Sequence, residues 1–148
     1  MDSMERSLIE RECARIVTLY CHYVDHGEAS RIADLFTEEG VWSGPGVRME
    51  GERQLRKGFQ ARQDNKARVS RHVCSNLLVD VIDEDNATGT VYLILYRHDG
   101  EEGRGFSPIE GPSLVGEYRD RFVRTADGWR FSERVIESAF VRADEPRG

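Results

Sequence analysis

Two residues in this chain have the types and setting for acid-base chemistry. His72 lies inside the run Val69-Ser-Arg-His-Val-Cys-Ser-Asn76, and Asp25 ends the upstream stretch Tyr20-Cys-His-Tyr-Val-Asp25. An imidazole facing a carboxylate inside an apolar cup can take a proton from a substrate, because the carboxylate fixes the ring tautomer and stabilises the imidazolium that forms. The spacing places Asp25 in the last turn of a helix, where the negative end of the macrodipole disfavours a carboxylate. Something other than the helix must then hold it. A solvent-facing aspartate beside the Gly27 stop is the competing reading.

His72 alternates with Cys74, Asn76 and Leu78 on one face of a strand, while Val73, Leu77, Val79 and Val81 face the other way until the register shifts. A face of His, Cys and Asn is more pocket-like than core-like, although a lone strand histidine is more often structural. Tyr20 stands five residues before Asp25, about 140° around an ideal helix. The two side chains cannot stack on one line but can flank one cavity rim. A phenol there can donate a hydrogen bond to a substrate oxygen, or simply fill the core as an amphipathic tyrosine.

Further along, Arg134 alternates with Ile136 on the final strand, and Tyr118, Asp120 and Phe122 share a face of its neighbour. Asp120 is either a second acid or the ion-pair partner of Arg134 or Arg121. Arg134, Trp42, Asn76 and Tyr118 are the candidate substrate contacts. His22, Asp25, His26 and His72 are a conceivable zinc set, since helical histidines four apart can share a metal, but no familiar ligand motif frames them and no metal is expected. Cys74 is two residues from His72 on the same strand, a poor geometry for an activated nucleophile, and no nucleophile elbow is present.

These residues need elements to position them. From Ser3 to about His26, Leu8, Ile9, Cys13, Ile16, Val17, Tyr20 and Val24 recur at helical spacing, with Gly27 as a stop. Glu28 to Phe36 reads as a second short helix. Gly40-Val-Trp42 opens a strand broken at Gly44-Pro-Gly46 that returns through Val47-Arg-Met49 as a hairpin. After Gly51, Leu55, Phe59 and Arg62 mark one face of a third helix ending near Asn65. The strand-rich remainder forms two hairpins, Val69 to Asp83 with Ala87 to His98, and Leu114 to Thr125 with Trp129 to Arg142. Asp99 to Ser113 reads as an exposed loop, a lid or an oligomer contact, and Ala143 to Gly148 as a frayed tail. Helices followed by a meander of long strands imply an α+β domain in which helices cover one face of a curved, mainly antiparallel sheet and close a cone with a pocket inside.

Composition narrows the function classes. The 148 residues fit a single domain, with an ordered core over about 5–142. With 39% hydrophobic and 32% charged residues the balance is globular, and no apolar run is long enough to cross a bilayer. Acids outnumber bases 27 to 21, for a net charge of −6, which argues against a phosphate-tracking nucleic-acid binder. Three cysteines with no C-x-x-C pair fit reduced thiols, and the first residues lack the pattern of a secretory signal, so a cytoplasmic location is expected.

The order of Tyr20-x4-Asp25, Ile32-Ala-Asp-Leu-Phe-Thr-Glu-Glu-Gly-Val-Trp42, Gly51, His72, Gly116-Glu-Tyr-Arg-Asp120 and Asp127-Gly-Trp-Arg-Phe131 resembles the SnoaL-like branch of the nuclear transport factor two-like superfamily. The resemblance runs from about Ser7 to Val141. It implies the cystatin-like cone and groups the chain with scytalone dehydratase, a bile-acid dehydratase, hexachlorocyclohexane dehydrochlorinase, ketosteroid isomerase, polyketide cyclases and dioxygenase small subunits. The dehydratase and dehydrochlorinase members use a helix Asp with a strand His, which match Asp25 and His72. Tyr20 matches a tyrosine of the bile-acid dehydratase and Arg134 its pocket arginine; the further acid of that enzyme would fall near Leu95 or Tyr96 and is missing.

The resemblance thus implies a cofactor-independent lyase, a dehydratase-type β-elimination on a small hydrophobic cyclic substrate, with Asp25, His72 and Tyr20 as the catalytic set. Isomerase, cyclase or dehydrohalogenase chemistry would use similar groups, and a non-catalytic ligand-binding or dioxygenase small-subunit-like module is the alternative of another class. A homodimer or homotrimer is expected in either case, with neither nucleic acid nor membrane as a partner.

Overall fold

The computed structural model describes residues 1–100 and 105–144. Helix α1 spans Ser3–Asp25 and starts on a capping box: the Glu5 backbone N–H donates to the Asp2 carboxylate at 2.8 Å, and the Asp2 N–H donates to Glu5 at 2.9 Å. Its buried face is Ile9, Cys13, Ile16, Val17, Tyr20 and Val24. Burial of each large apolar side chain there contributes on the order of 1.5–3 kcal/mol. Leu8, expected on that face, lies outside it at 55% exposure. Gly27, at φ 78°, turns the chain out of the helix.

The second helix, Ala29–Leu35, is 3₁₀ rather than α and buries Ile32 and Leu35. It leads into β1 (Phe36–Gly44), which hairpins into β2 (Val47–Glu50) as the glycine and proline punctuation suggested. Helix α2 (Glu52–Asp64) buries Leu55 and Phe59 and turns Arg62 toward the sheet side. Strands β3 (Arg68–Val81), β4 (Asn86–Asp99), β5 (Leu114–Thr125) and β6 (Gly128–Val141) complete one six-stranded sheet of order β2-β1-β6-β5-β4-β3. All neighbours are antiparallel except β1 and β6, which run parallel. The architecture is the α+β, mainly antiparallel curved sheet with helices on one face that the sequence implied.

The long strand β3 changes phase partway. Between Ser75 and Leu78 the pairing with β4 slips, and Asn76 takes φ 58° at the bulge. Ser70, His72 and Cys74 face inward before it; Leu77, Val79 and Val81 face inward after it and pack on the core. The extra residue therefore keeps one strand useful to two ends of the cone. It also corrects two expectations: Asn76 and Leu78 are exposed, with Leu78 at 60%, and do not continue the His72 face.

The core gathers aromatic rings under α1. Tyr20 meets Phe59, Tyr118 and Phe131 edge-on, with centroids 5.7–6.4 Å apart. Of the segment between β4 and β5, residues 101–104 lie outside the described residues. Its end is anchored: the Ser113 N–H donates to the Leu95 carbonyl at 2.7 Å, and its hydroxyl donates to that of Arg97 at 3.2 Å. Phe106 and Ile109 in this loop are exposed. The end of the tail, 145–148, is likewise outside the described residues. Among the described residues, no helix is long and apolar enough to cross a membrane.

Candidate active site

Asp25 and His72 meet. The C-terminal turn of α1 packs across β3, so that the Asp25 carboxylate lies against the strand that carries the imidazole. His72 Nδ1 is 2.7 Å from Asp25 Oδ1, and the His72 backbone N–H donates to Oδ2 at 2.8 Å. The Ser70 hydroxyl donates to Oδ1 at 2.8 Å, and Arg62 Nη2 donates to that hydroxyl at 3.1 Å. Three donors thus offset the unfavourable helix-end position. With Asp25 accepting at Nδ1, the imidazole carries its proton there and Nε2 keeps a lone pair, the state a general base requires.

The pair is shielded but not sealed, with side-chain exposures of 11% for His72 and 6% for Asp25. Burial alone would raise the Asp25 carboxyl. The ring and backbone N–H of His72, followed by the Ser70 hydroxyl, outweigh it and hold that carboxyl below its ordinary 3.8. A depressed folded value means the stabilisation is complete above the unfolded pKa and is lost as pH falls through the folded one. The stability advantage of wild type over Asp25→Asn should therefore be constant near neutrality and shrink below about pH 4. Urea unfolding at a series of pH values checks this; a gap that widens on acidification would contradict it.

His72 opens onto a cavity of about 580 Å³, a size suited to a small organic molecule. Its walls come from α1 (Tyr20, Val24), β1 (Trp42), α2 (Phe59, Arg62), the start of β3, and the inward faces of β4, β5 and β6. Two of the four expected substrate contacts, Trp42 and Tyr118, are on these walls, together with Tyr20 of the expected catalytic set. Tyr20 and Trp42 are also joined, since the indole N–H donates to the Tyr20 hydroxyl at 3.1 Å, and the Tyr118 ring meets that of Tyr20 edge-on. Burial pushes both phenols above their ordinary value, so they remain protonated donors. The Tyr20 ring stands edge-on to His72 with centroids 6.3 Å apart.

Two expected substrate contacts are placed elsewhere. Asn76 is on the solvent side at the β3 bulge, one strand phase away from the cavity. Arg134 is fully buried behind the cavity wall, where its Nε donates to Asp120 Oδ1 at 2.9 Å and its Nη2 to Oδ2 at 3.4 Å. Its guanidinium lies 3.6 Å from the Tyr118 ring centroid and 4.4 Å from that of Tyr20. Arg134 thus supports the two phenols from behind instead of touching a substrate. Burial raises the Asp120 carboxyl to about 6, an effect that Arg134 only partly offsets, while Asp120 raises Arg134 despite burial. The Arg134 guanidinium keeps its charge at neutral pH, because it cannot shed its proton there.

Ser70 and Arg62 belong to the site although they were not singled out for it. Ser70 is two residues before His72 and so shares its inward face, a signal available from strand alternation. Arg62 was legible as one face of α2 but not as a neighbour of β3. The His22 and His26 rings lie tilted to one another with centroids 5.7 Å apart, and among the described residues no group of three or more His, Cys, Asp and Glu could hold a metal ion.

An open curved sheet with helices on one face and a cavity between them is the architecture of nuclear transport factor two-like proteins with a cystatin-like fold. Within that class, the chain belongs to the SnoaL-like domain family, whose model matches residues 5–135. No curated protein matches it in sequence. Among solved structures it is similar to a protein from Novosphingobium aromaticivorans provisionally named a scytalone dehydratase, at 19% identity, covering 99% of this chain and 95% of that one with a TM-score of 0.84. LinA is similar at 16% identity, covering 97% and 96% with a TM-score of 0.76. A nuclear transport factor two-like protein from the same Novosphingobium species shares 20% identity, covering 96% and 89% with a TM-score of 0.77. At these identities the likeness establishes the fold.

Proposed function

We infer that this protein is a cofactor-independent lyase that carries out a dehydratase-type β-elimination on a small, mainly apolar cyclic substrate. The observation that carries the reading is the 2.7 Å contact of His72 Nδ1 with Asp25 on the wall of a mostly apolar cavity that also contains phenol donors. His72 Nε2 takes the proton from a ring C–H, and Asp25 stabilises the imidazolium. The C–H electron pair becomes the new double bond as the C–O bond breaks. The hydroxyl leaves with a proton through a phenol, Tyr20 or its partner Tyr118, and the imidazolium proton returns through the same network to restore the resting state. Substrate becomes alkene plus water. The similar protein provisionally named a scytalone dehydratase supports this class of reaction.

Incubating the protein with a panel of hydroxylated and halogenated ring compounds and reading the products by mass spectrometry tests the reading. Loss of water by wild type and its absence with His72→Ala is the expected result. Loss of hydrogen halide would convert the reading to dehydrohalogenation, an unchanged mass with a moved double bond to isomerisation, and equal conversion by both proteins would dismiss His72 as the base.

A further inference from the structure

Two thiols that the elimination chemistry does not use lie in contact beside the site. Cys21 of α1 and Cys74 of β3 are both free, and the Cys21 thiol donates to Cys74 Sγ at 3.5 Å. They are 53 residues apart in the chain, and the packing of α1 on β3 brings them together. Cys21 stands about one helical turn before Asp25, and Cys74 follows His72 by two residues on the same face of its strand. Each is partly exposed, whereas the third cysteine, Cys13, is sealed in the core.

We propose that Cys21 and Cys74 form a reversible, peroxide-driven disulfide that fastens the end of α1 carrying Asp25 to the strand carrying His72. The sulfurs are already in contact, so bonding asks for small side-chain rotations on elements that are packed together. In the first step the Cys74 thiolate attacks one oxygen of hydrogen peroxide. The S–O bond forms as the O–O bond breaks, and water departs with the thiol proton, leaving a sulfenic acid. The Cys21 sulfur then attacks that of Cys74, the S–S bond forms as the S–O bond breaks, and a second water carries off the Cys21 proton. Two thiols are oxidised and one peroxide is reduced to two waters. Cys74 is the first nucleophile, because the hydrogen bond from Cys21 lowers its pKa against the effect of burial. The same bond, and then burial, raise Cys21, which suits it to the resolving step. Cys13, pushed up to about 12 by burial, stays outside this chemistry. A bridge formed only on oxidation is also the usual form of disulfides in reducing compartments, and its formation is independent of what the cavity turns over.

Treatment of the purified, reduced protein with a small excess of hydrogen peroxide tests this. Intact mass should show the loss of two hydrogens, and non-reducing peptide mapping after thiol alkylation should find Cys21 linked to Cys74 with Cys13 alkylated. A bridge across so long a loop restricts the unfolded chain, so the Tm should rise by roughly 5 °C or more and return to its starting value with dithiothreitol. Cys74→Ser should show neither change, and Cys21→Ser should gain oxygen at Cys74 in place of the bridge. Oxygen addition to wild type without a bridge, a bridge through Cys13 or to a second molecule, or thiols that stay reduced would overturn the proposal. A Cys21–Cys74 bridge that leaves the Tm unchanged would equally overturn the fastening of α1 to β3.

Discussion

Asp25→Asn is expected to lower turnover by about 10²–10⁴-fold while leaving the fold intact. The argument is about the proton on the imidazole. Asp25 accepts from the ring and from the His72 backbone, so the ring proton resides on Nδ1 and Nε2 is free to act. An asparagine of the same size can still accept at one atom, but its amide nitrogen is a donor. Against Nδ1 it favours the tautomer with the proton on Nε2, which is the wrong form for a base, and it no longer offers a charge to stabilise the imidazolium. The measurement is initial rate on whichever panel compound wild type converts, with circular dichroism recorded on both proteins. Retained activity in a folded Asp25→Asn would mean that the carboxylate is structural.

The second large effect is on stability. Asp120→Ala leaves the Arg134 guanidinium buried without its counter-ion and is expected to cost about 3–5 kcal/mol. For a domain of this length that corresponds to a fall in Tm of roughly 10 °C or more. Arg134 already has one buried nitrogen, Nη1, with no hydrogen-bond partner, so it has little reserve. Its other supports are the faces of Tyr118, Tyr20 and Phe131. Removing both charges in Asp120→Leu/Arg134→Met should recover most of the loss, because a buried ion pair is replaced by apolar contacts at little net cost. Urea unfolding of the single and double variants measures this. A single variant as stable as wild type would show that the pair is not held in a closed core.

Much of the site was legible because its elements are locally coded. The spacing of Ile9, Cys13, Ile16, Tyr20 and Val24 orients α1, and Gly27 ends it, so Asp25 had to fall at a helix end. Alternation on β3 put His72 and Cys74 inward. The same alternation fails two residues later, since nothing in Ser75-Asn-Leu announces an inserted residue, and strict alternation predicts Asn76 inward where the bulge turns it out. Arg134 was placed on the correct face of β6. How deep that face lies depends on β1 joining β6 in parallel, with Trp42 opposite Arg134, a long-range pairing with no local signature. The contact of Cys21 with Cys74 was hidden for the same reason: the two thiols come from separate elements, and no C-x-x-C spacing announces them.

The claim that His72 is a base poised on an apolar cavity can be tested most directly without the natural substrate, using a nitrobenzisoxazole. This flat, apolar C–H acid opens to a coloured phenolate once a base removes its ring proton, so the readout is proton abstraction itself. Wild type is predicted to release phenolate about 10²-fold or more faster than His72→Ala at the same probe concentration. Equal rates for the two folded proteins would contradict the account.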